Sequence, residues 1–459
     1  MTALPHPRAD DVLGEAPGGP PARSLTAAAP LGAFEAWLAE RRAAHTFRVE
    51  RVPFSALDQW STDPVTGDIG HRSGRFFTVE GLRVTVDGRS HEQPVIRQPE
   101  VGVLGILTRT VDGVPHFLMQ AKMEPGNPGL LQLSPTVQAT RSNYTGVHGG
   151  QAVRYLDHFR RPGPGRVIAD VLQSENGCWF LRKHNRNMIV QVDAEVEPHP
   201  DFHWLTLGQL GRLLRRDNLV NMDARSVLAC LPPADGPGGA AGGAGPRCSD
   251  TGLRSWFTAE LARRDTRIQS LPLARLADWR WEEGVLRHRD GRYFSIVGVR
   301  VEAASREVAR WSQPLLRPHG RALAAFLMRR IDGTPHLLAR ASVEAGLVHG
   351  TEIGPTVQHI PGDCAGPDRQ PFLDLVRDPD PARVRYDAVH ADEGGRFQHS
   401  QCRYLVVETD DDQAPLDPPP GHVWLTPGQL AALAQHRSYV NVQARTLLAC
   451  LNLGAVTPA

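Results

Sequence analysis

Asp112-Gly-Val-Pro-His116 and Asp332-Gly-Thr-Pro-His336 are two versions of one motif, 220 positions apart. The same register holds along the chain. Ser134-Pro-Thr-Val-Gln138 answers to Gly354-Pro-Thr-Val-Gln358, Trp204-Leu-Thr-Leu-Gly-Gln-Leu210 to Trp424-Leu-Thr-Pro-Gly-Gln-Leu430, and Val220-Asn-Met-Asp-Ala-Arg225 to Val440-Asn-Val-Gln-Ala-Arg445. A period this long is far beyond that of a solenoid, so the chain is one domain duplicated and not an array. In the first copy Asp-Gly lies between the apolar runs Val101–Leu107 and His116–Met119, which predicts a hairpin with a tight turn. A helix is expected near Phe34 (Trp256 in the second copy), strands at Arg75–Val79 and Arg292–Ile296, and a last strand at Asn187–Val192 or Tyr404–Val407 before two closing helices. Thr206 with Gln209, and Thr426 with Gln429, form a Thr-x-x-Gln capping box that starts the first closing helix in both copies. Strands with a few helices and no βαβ alternation predict an α+β domain.

The 459 residues suffice for two or three domains with their own cores. The expected division is a disordered tail over 1–30, a first domain over 31–231, a Gly/Pro/Ala linker over 232–250 and a second domain over 251–453. The opening residues have neither a basic nor an apolar segment of a secretion signal, and no apolar run reaches the ~20 residues of a membrane-spanning helix, so a cytoplasmic chain off the membrane is expected. A net charge of +1 without a basic run argues against a nucleic-acid partner and for a small one. Six scattered cysteines carry no Cys-x-x-Cys spacing, and Cys230 and Cys450 read as small buried residues. His199 and His203 are separated by Pro-Asp-Phe and are not repeated in the second copy, so no metal site is expected. The basic residues are almost all arginine; the lysines are Lys122 and Lys183 alone.

A site used by one copy can diverge in the other, so differences between the copies point to chemistry. After Pro-Thr-Val-Gln the first copy reads Ala139-Thr-Arg-Ser-Asn-Tyr-Thr-Gly-Val-His-Gly-Gly150, against His359-Ile-Pro-Gly-Asp-Cys-Ala-Gly-Pro367. Thr140, Arg141, Ser142, Asn143, Tyr144 and His148 place hydroxyls, a guanidinium, an amide, a phenol and an imidazole on one glycine-punctuated loop, as a phosphate-bearing ligand requires. Upstream, Gln120-Ala-Lys122-Met-Glu124-Pro-Gly126 faces Arg340-Ala-Ser342-Val-Glu344-Ala-Gly346: the lysine is lost and the glutamate kept. Glu124 and Glu344 are therefore either a shared structural bond or a catalytic pair. Trp60 and Trp279 are candidate platforms for a nucleotide base, with burial in the core as the competing reading. Ser174 and Arg396 precede the last strand of their copies, where a loop could close over a site.

The run Gln-Ala-Lys-Met-Glu-Pro-Gly-Asn from Gln120, the run Leu-Ser-Pro-Thr-Val-Gln-Ala-Thr-Arg-Ser-Asn-Tyr ending at Tyr144, and the duplicated Val-Asn-x-x-Ala-Arg-x-x-Leu-Ala-Cys-Leu ending resemble the NDP-hexose 2,3-dehydratase family. That resemblance implies a tandem duplication of a Nudix-hydrolase-like mixed-sheet domain, a homodimer, and a dTDP-sugar substrate in deoxysugar and antibiotic biosynthesis. It also implies loss of water across C2 and C3 of dTDP-4-keto-6-deoxyglucose, giving a 3,4-diketo-2,6-dideoxy sugar, with no cofactor. The glutamate-rich helix that holds metals in a working Nudix hydrolase is missing: from Pro125 to Arg160 the only acid is Asp157, so diphosphate hydrolysis is disfavoured.

In the implied substrate the C4 ketone acidifies the C3 proton, so a base can remove it and the enolate can expel the C2 hydroxyl. His148, Tyr144 and Glu124 are candidate bases; Lys122, Arg141 and Asn143 could hold the enolate or the diphosphate. Two other readings stand beside the dehydratase: a non-catalytic nucleotide-sugar-binding protein, and a sugar-nucleotide epimerase or degenerate Nudix hydrolase.

Overall fold

The computed structural model of the protein describes residues 25, 30–140, 153–160, 166–193, 195–232, 245–304, 308–361 and 370–457. Asp112 and Gly113 both take positive φ (50° and 75°), as do Asp332 and Gly333 (49° and 79°). Two successive left-handed residues make the hairpin turn whose twist suits the flanking strands, Gly102–Val111 with Val114–Met123 and Ala322–Ile331 with Thr334–Val343. The strand expected to come last, His184–Gln191 or Gln401–Glu408, runs parallel to the first strand of that hairpin. One more strand, Phe202–Thr206 or His422–Leu425, follows it before the closing helices and pairs antiparallel with the hairpin's second strand. Each copy thus builds a mixed sheet of seven strands, and the molecule is α+β.

The helix expected near Phe34 spans Gly32–Ala44, and its counterpart spans Asp250–Ala262. Both Thr-Gln capping boxes form, heading Leu207–Leu213 and Pro427–Ala434. The closing helices Met222–Leu228 and Val442–Asn452 are each capped by an asparagine, Asn221 or Asn441. Two strands begin later than the aromatic runs suggested, at Thr78 and Phe294, because Phe76 and Tyr293 sit at φ 76° and 65°, outside extended geometry.

Each copy also has a smaller sheet, and these two sheets exchange strands. Phe47–Val52 of the first copy pairs with Phe294–Ala303 of the second, while Thr266–Leu271 of the second pairs with Thr78–Val86 of the first. The cores are shared as well. One joins Ile106, Phe117 and Leu228 to Phe326, Tyr404 and Leu448; another joins Trp60, Phe77 and Phe180 to their counterparts Trp279, Phe294 and Phe397.

Two contacts lock the halves with near two-fold symmetry. Gly126 donates to Gly394 O at 2.8 Å and Gly346 donates to Gly177 O at 2.7 Å, so the turn after each hairpin presses on the other copy's loop. A Cβ at Gly126 would stand 1.8 Å from Phe397 O, and one at Gly346 would stand 1.7 Å from Phe180 O. Only glycine permits that approach. At the centre, Arg225 donates to Ala391 O and to Thr446 Oγ1, and Arg445 to Ser174 O and to Ser226 Oγ. Both guanidinium groups are fully buried, with backbone carbonyls and hydroxyls replacing water as acceptors.

Candidate active site

A cavity of about 330 Å³ opens beside the first copy's hairpin, and both copies line it. The first copy supplies Trp60, His71, Phe77, Lys122, Glu124, Gln138, Thr140, Lys183, Asn185 and Asp223; the second supplies Trp311, Gln313, Glu393 and Arg396. Both lysines of the chain are here, nearly buried.

The strand alternation and the clasp explain the assembly. Lys122 and Glu124, two positions apart where the strand Val114–Met123 ends, face the same side. Their partner is the short strand Val137–Ala139: Gln138 Nε2 donates to Glu124 Oε1 at 2.9 Å, and the Lys122 ammonium lies 3.4 Å from Gln138 O and 3.6 Å from Glu124 Oε1. Ser134 and Asn221 donate to Gln138 Oε1 and fix the amide's orientation. The contact of Gly126 with the other copy then carries Glu393 and Arg396 to the cavity wall. Arg396 donates from Nε to Gln98 Oε1 at 3.1 Å, and its guanidinium stands 4.4 Å over the Phe77 ring.

Glu124 and its counterpart Glu344 share a scaffold and differ in freedom. Glu344 Oε1 accepts from Gln358 and Asn441, and its Oε2 accepts from Gly177 N at 2.8 Å. Glu124 keeps the bond from Gln138, but its Oε2 is buried without a hydrogen-bond partner. The carboxylate is structural in one copy and half-released in the other.

Around it lie three further carboxyls, Asp223, Glu175 and Glu393, beside the cations Lys122, Lys183 and Arg396. Burial, then the charges of Glu393, Glu175 and Glu124, push the Asp223 carboxyl well above the usual carboxylate range. Burial likewise raises Glu393, and it raises Glu175, which accepts from Asn185 Nδ2, to about 7. Burial lowers the Lys183 ammonium, whose Nζ donates to Glu100 O. A cluster so perturbed, set in a concave site, has the hallmark of acid–base chemistry.

Of the residues singled out in the sequence, Trp60, Thr140, Lys122, Glu124 and Arg396 line this cavity. Trp279 and Ser174 do not. Trp279 is core, packed on Phe294 at 4.7 Å with its indole donating to Glu92 O, and Ser174 is buried between the copies, donating to Glu352 Oε2 at 2.7 Å. Arg141, Ser142, Asn143, Tyr144 and His148 lie outside the described residues. Sequence reading overlooked Asp223, Glu393 and Lys183 as site residues. The contrast of Asp223 with Gln443 stood inside a block repeated but for it and the pair Met222 and Val442, and Lys183 shared the rarity that marked Lys122. Glu393 contrasts with Asn176, but that correspondence is fixed by the twin bonds to Gly394 and Gly177, and the cavity it serves belongs mainly to the other copy.

The family model for NDP-hexose 2,3-dehydratase matches the chain twice, over residues 31–231 and 250–451. Three curated relatives each carry the name dTDP-4-dehydro-6-deoxy-alpha-D-glucopyranose 2,3-dehydratase. The one from Amycolatopsis orientalis is 52% identical over 92% of this chain and 90% of its own. That from Streptomyces violaceoruber is 51% identical over 91% and 96%, and that from Saccharopolyspora spinosa 46% over 92% and 91%. Matched in both halves and similar over nearly its whole length to these relatives, the chain belongs to the NDP-hexose 2,3-dehydratase family.

Proposed function

We propose that the protein removes water across C2 and C3 of dTDP-4-dehydro-6-deoxyglucose. The observation that carries this reading is the Glu124 carboxylate, released on one oxygen beside the Lys122 ammonium in a cavity, while its twin Glu344 is fully engaged. Glu124 Oε2 takes the C3 proton, and Lys122 faces the charge that grows on the C4 oxygen. Such a positioned base contributes ~10²–10⁴-fold and the facing cation adds electrostatic stabilisation. The enolate expels the C2 hydroxyl, leaving an enol that takes a solvent proton at C2 and loses the one on O3 to give the 3,4-diketo sugar. Trp60, Phe77 and Trp311 offer flat faces to the base, and Arg396 a charge to the diphosphate. The loop that follows Thr140 carries the other groups assigned here to substrate: Arg141, Ser142 and Asn143 to the diphosphate, and Tyr144 and His148 as the competing acid–base pair.

The test is incubation of the protein with dTDP-4-dehydro-6-deoxyglucose in deuterated buffer, with and without chelator, followed by NMR and mass. Loss of water that survives chelator supports the reading. Solvent exchange without water loss points to an epimerase, and binding without either change to a non-catalytic binder. The same reading includes a Nudix-like ancestry for each seven-stranded unit, supported by its mixed sheet with one parallel pair, and a cytoplasmic homodimer in antibiotic deoxysugar synthesis. Light scattering checks the dimer. No helix among the described residues is long and apolar enough to cross a membrane.

A further inference from the structure

We infer that Asp223 is the group that delivers a proton to the C2 hydroxyl as it departs. The inference rests on the dehydratase reading and adds to it the second half of the elimination. Hydroxide is a poor leaving group, so an enzyme that breaks this bond needs an acid facing C2 as well as a base facing C3. Asp223 lines the same cavity as Glu124, is 3% exposed, and its Oδ1 has no hydrogen-bond partner. An unpaired, buried polar atom on a cavity wall is costly unless a ligand completes it.

The surroundings keep the proton on. Three carboxyls act on Asp223 through their charge from separate elements: Glu124 after the hairpin and Glu393 from the second copy, which share its cavity, and Glu175 after the strand Arg166–Ser174. Lys122 is the cation acting against them. Packing alone does not account for Asp223 and Glu393, because their counterpart positions are neutral. Gln443 stands where Asp223 does, and Asn176 where Glu393 does, the latter fixed by the twin bonds to Gly177 and Gly394 that follow them. Both acids occur only around the cavity that also holds the two lysines.

The step balances without any added reagent. The C3 proton passes to Glu124, the C2–O bond breaks with its electron pair, and the Asp223 proton leaves with that oxygen as water. The Asp223 carboxylate then regains a proton from solvent.

The test compares the full-length parent with Asp223→Asn on dTDP-4-dehydro-6-deoxyglucose and on its 2-deoxy-2-fluoro analogue, since fluoride departs without prior protonation. The expected result is a fall in kcat for water loss of about 100-fold or more. Deuterium exchange at C3 persists, KM changes little, and fluoride release stays within a few-fold of the parent. Equal loss of both reactions, or unimpaired water loss, overturns the inference. A parent that eliminates neither group refutes the dehydratase reading, and this inference with it. In a second variant, Glu393→Gln, removal of the neighbouring carboxyl is expected to move the alkaline limb of kcat to lower pH; an unmoved limb also counts against Asp223 as the acid.

Discussion

Glutamate 124 and glutamate 344 occupy one position in two copies and are expected to fail in different ways. Glu124→Gln should lower kcat by ~10²–10⁴-fold with little change in the melting temperature, because the lost group is a base and its partner Gln138 keeps an acceptor. Glu344→Gln should act on stability instead. It weakens bonds from Gly177 N, Gln358 and Asn441, a loss of about 1–3 kcal/mol readable in urea titration. Equal kinetic effects from the two variants would break the link between the free Oε2 and the chemistry. Gly126→Ala should cost about 3 kcal/mol, the upper range for forced overpacking, because the added carbon meets backbone and not a side chain that can swing away. Differential scanning calorimetry gives that number directly. At this scale the sequence was informative wherever the signal was local. Lys122 stood out by rarity and by its replacement with Ser342, whereas the freedom of Glu124 was illegible, since Glu344 spells the same residue.

Hairpins, capping boxes and closing helices were legible because each is decided by neighbours within a few residues: two positive-φ positions at Asp-Gly, or a threonine and glutamine three apart. The strand exchange was not. Phe47–Val52 and Thr266–Leu271 have the same burial alternation, and both copies offer the same partner strand, so nothing in the pattern says which sheet either strand completes. Arg396 was marked in the sequence for a loop that could close over a site, and the site it reaches is lined mainly by the other copy. A proline at Ile268, which pairs with Val84 in the centre of the exchanged strand, should therefore impair a cavity whose wall belongs mainly to the first copy. Activity assays of Ile268→Pro, with circular dichroism to follow the sheet, check this. Full activity in a folded variant would show that the exchanged strand does not support the site.

For the whole molecule, the shared cores and the crossed Arg225 and Arg445 contacts predict one cooperative unfolding transition for both halves. Two separated transitions in calorimetry would contradict it. The molecule's pH dependence should also depart from the ordinary acid-sensitive pattern. Glu175 and Glu352 are both pushed up to about 7 by burial, so the folded chain holds two protons that the unfolded chain releases from about pH 4.5 upward. Their contribution is complete below the unfolded value and is lost as pH rises through 7. Glu352→Gln removes one of them, and the counterpart position already carries Gln132. Relative to the parent, the variant should gain stability between pH 5 and pH 8, by up to ~3 kcal/mol at about 1.4 kcal/mol per pKa unit. Denaturant midpoints at the two pH values measure the gain, and a constant difference would refute it.

The exchanged strands have a genetic consequence. A stop codon at or just beyond the linker removes Thr266–Leu271, and with it an edge of a sheet whose other strands have already been translated, while a later one still removes Glu393 and Arg396. The early half of the gene therefore encodes a protein with an open edge and a cavity that lacks Glu393 and Arg396. Random mutagenesis should accordingly recover loss-of-function lesions throughout the later half, even though most of the polar groups assigned to substrate are encoded in the earlier one.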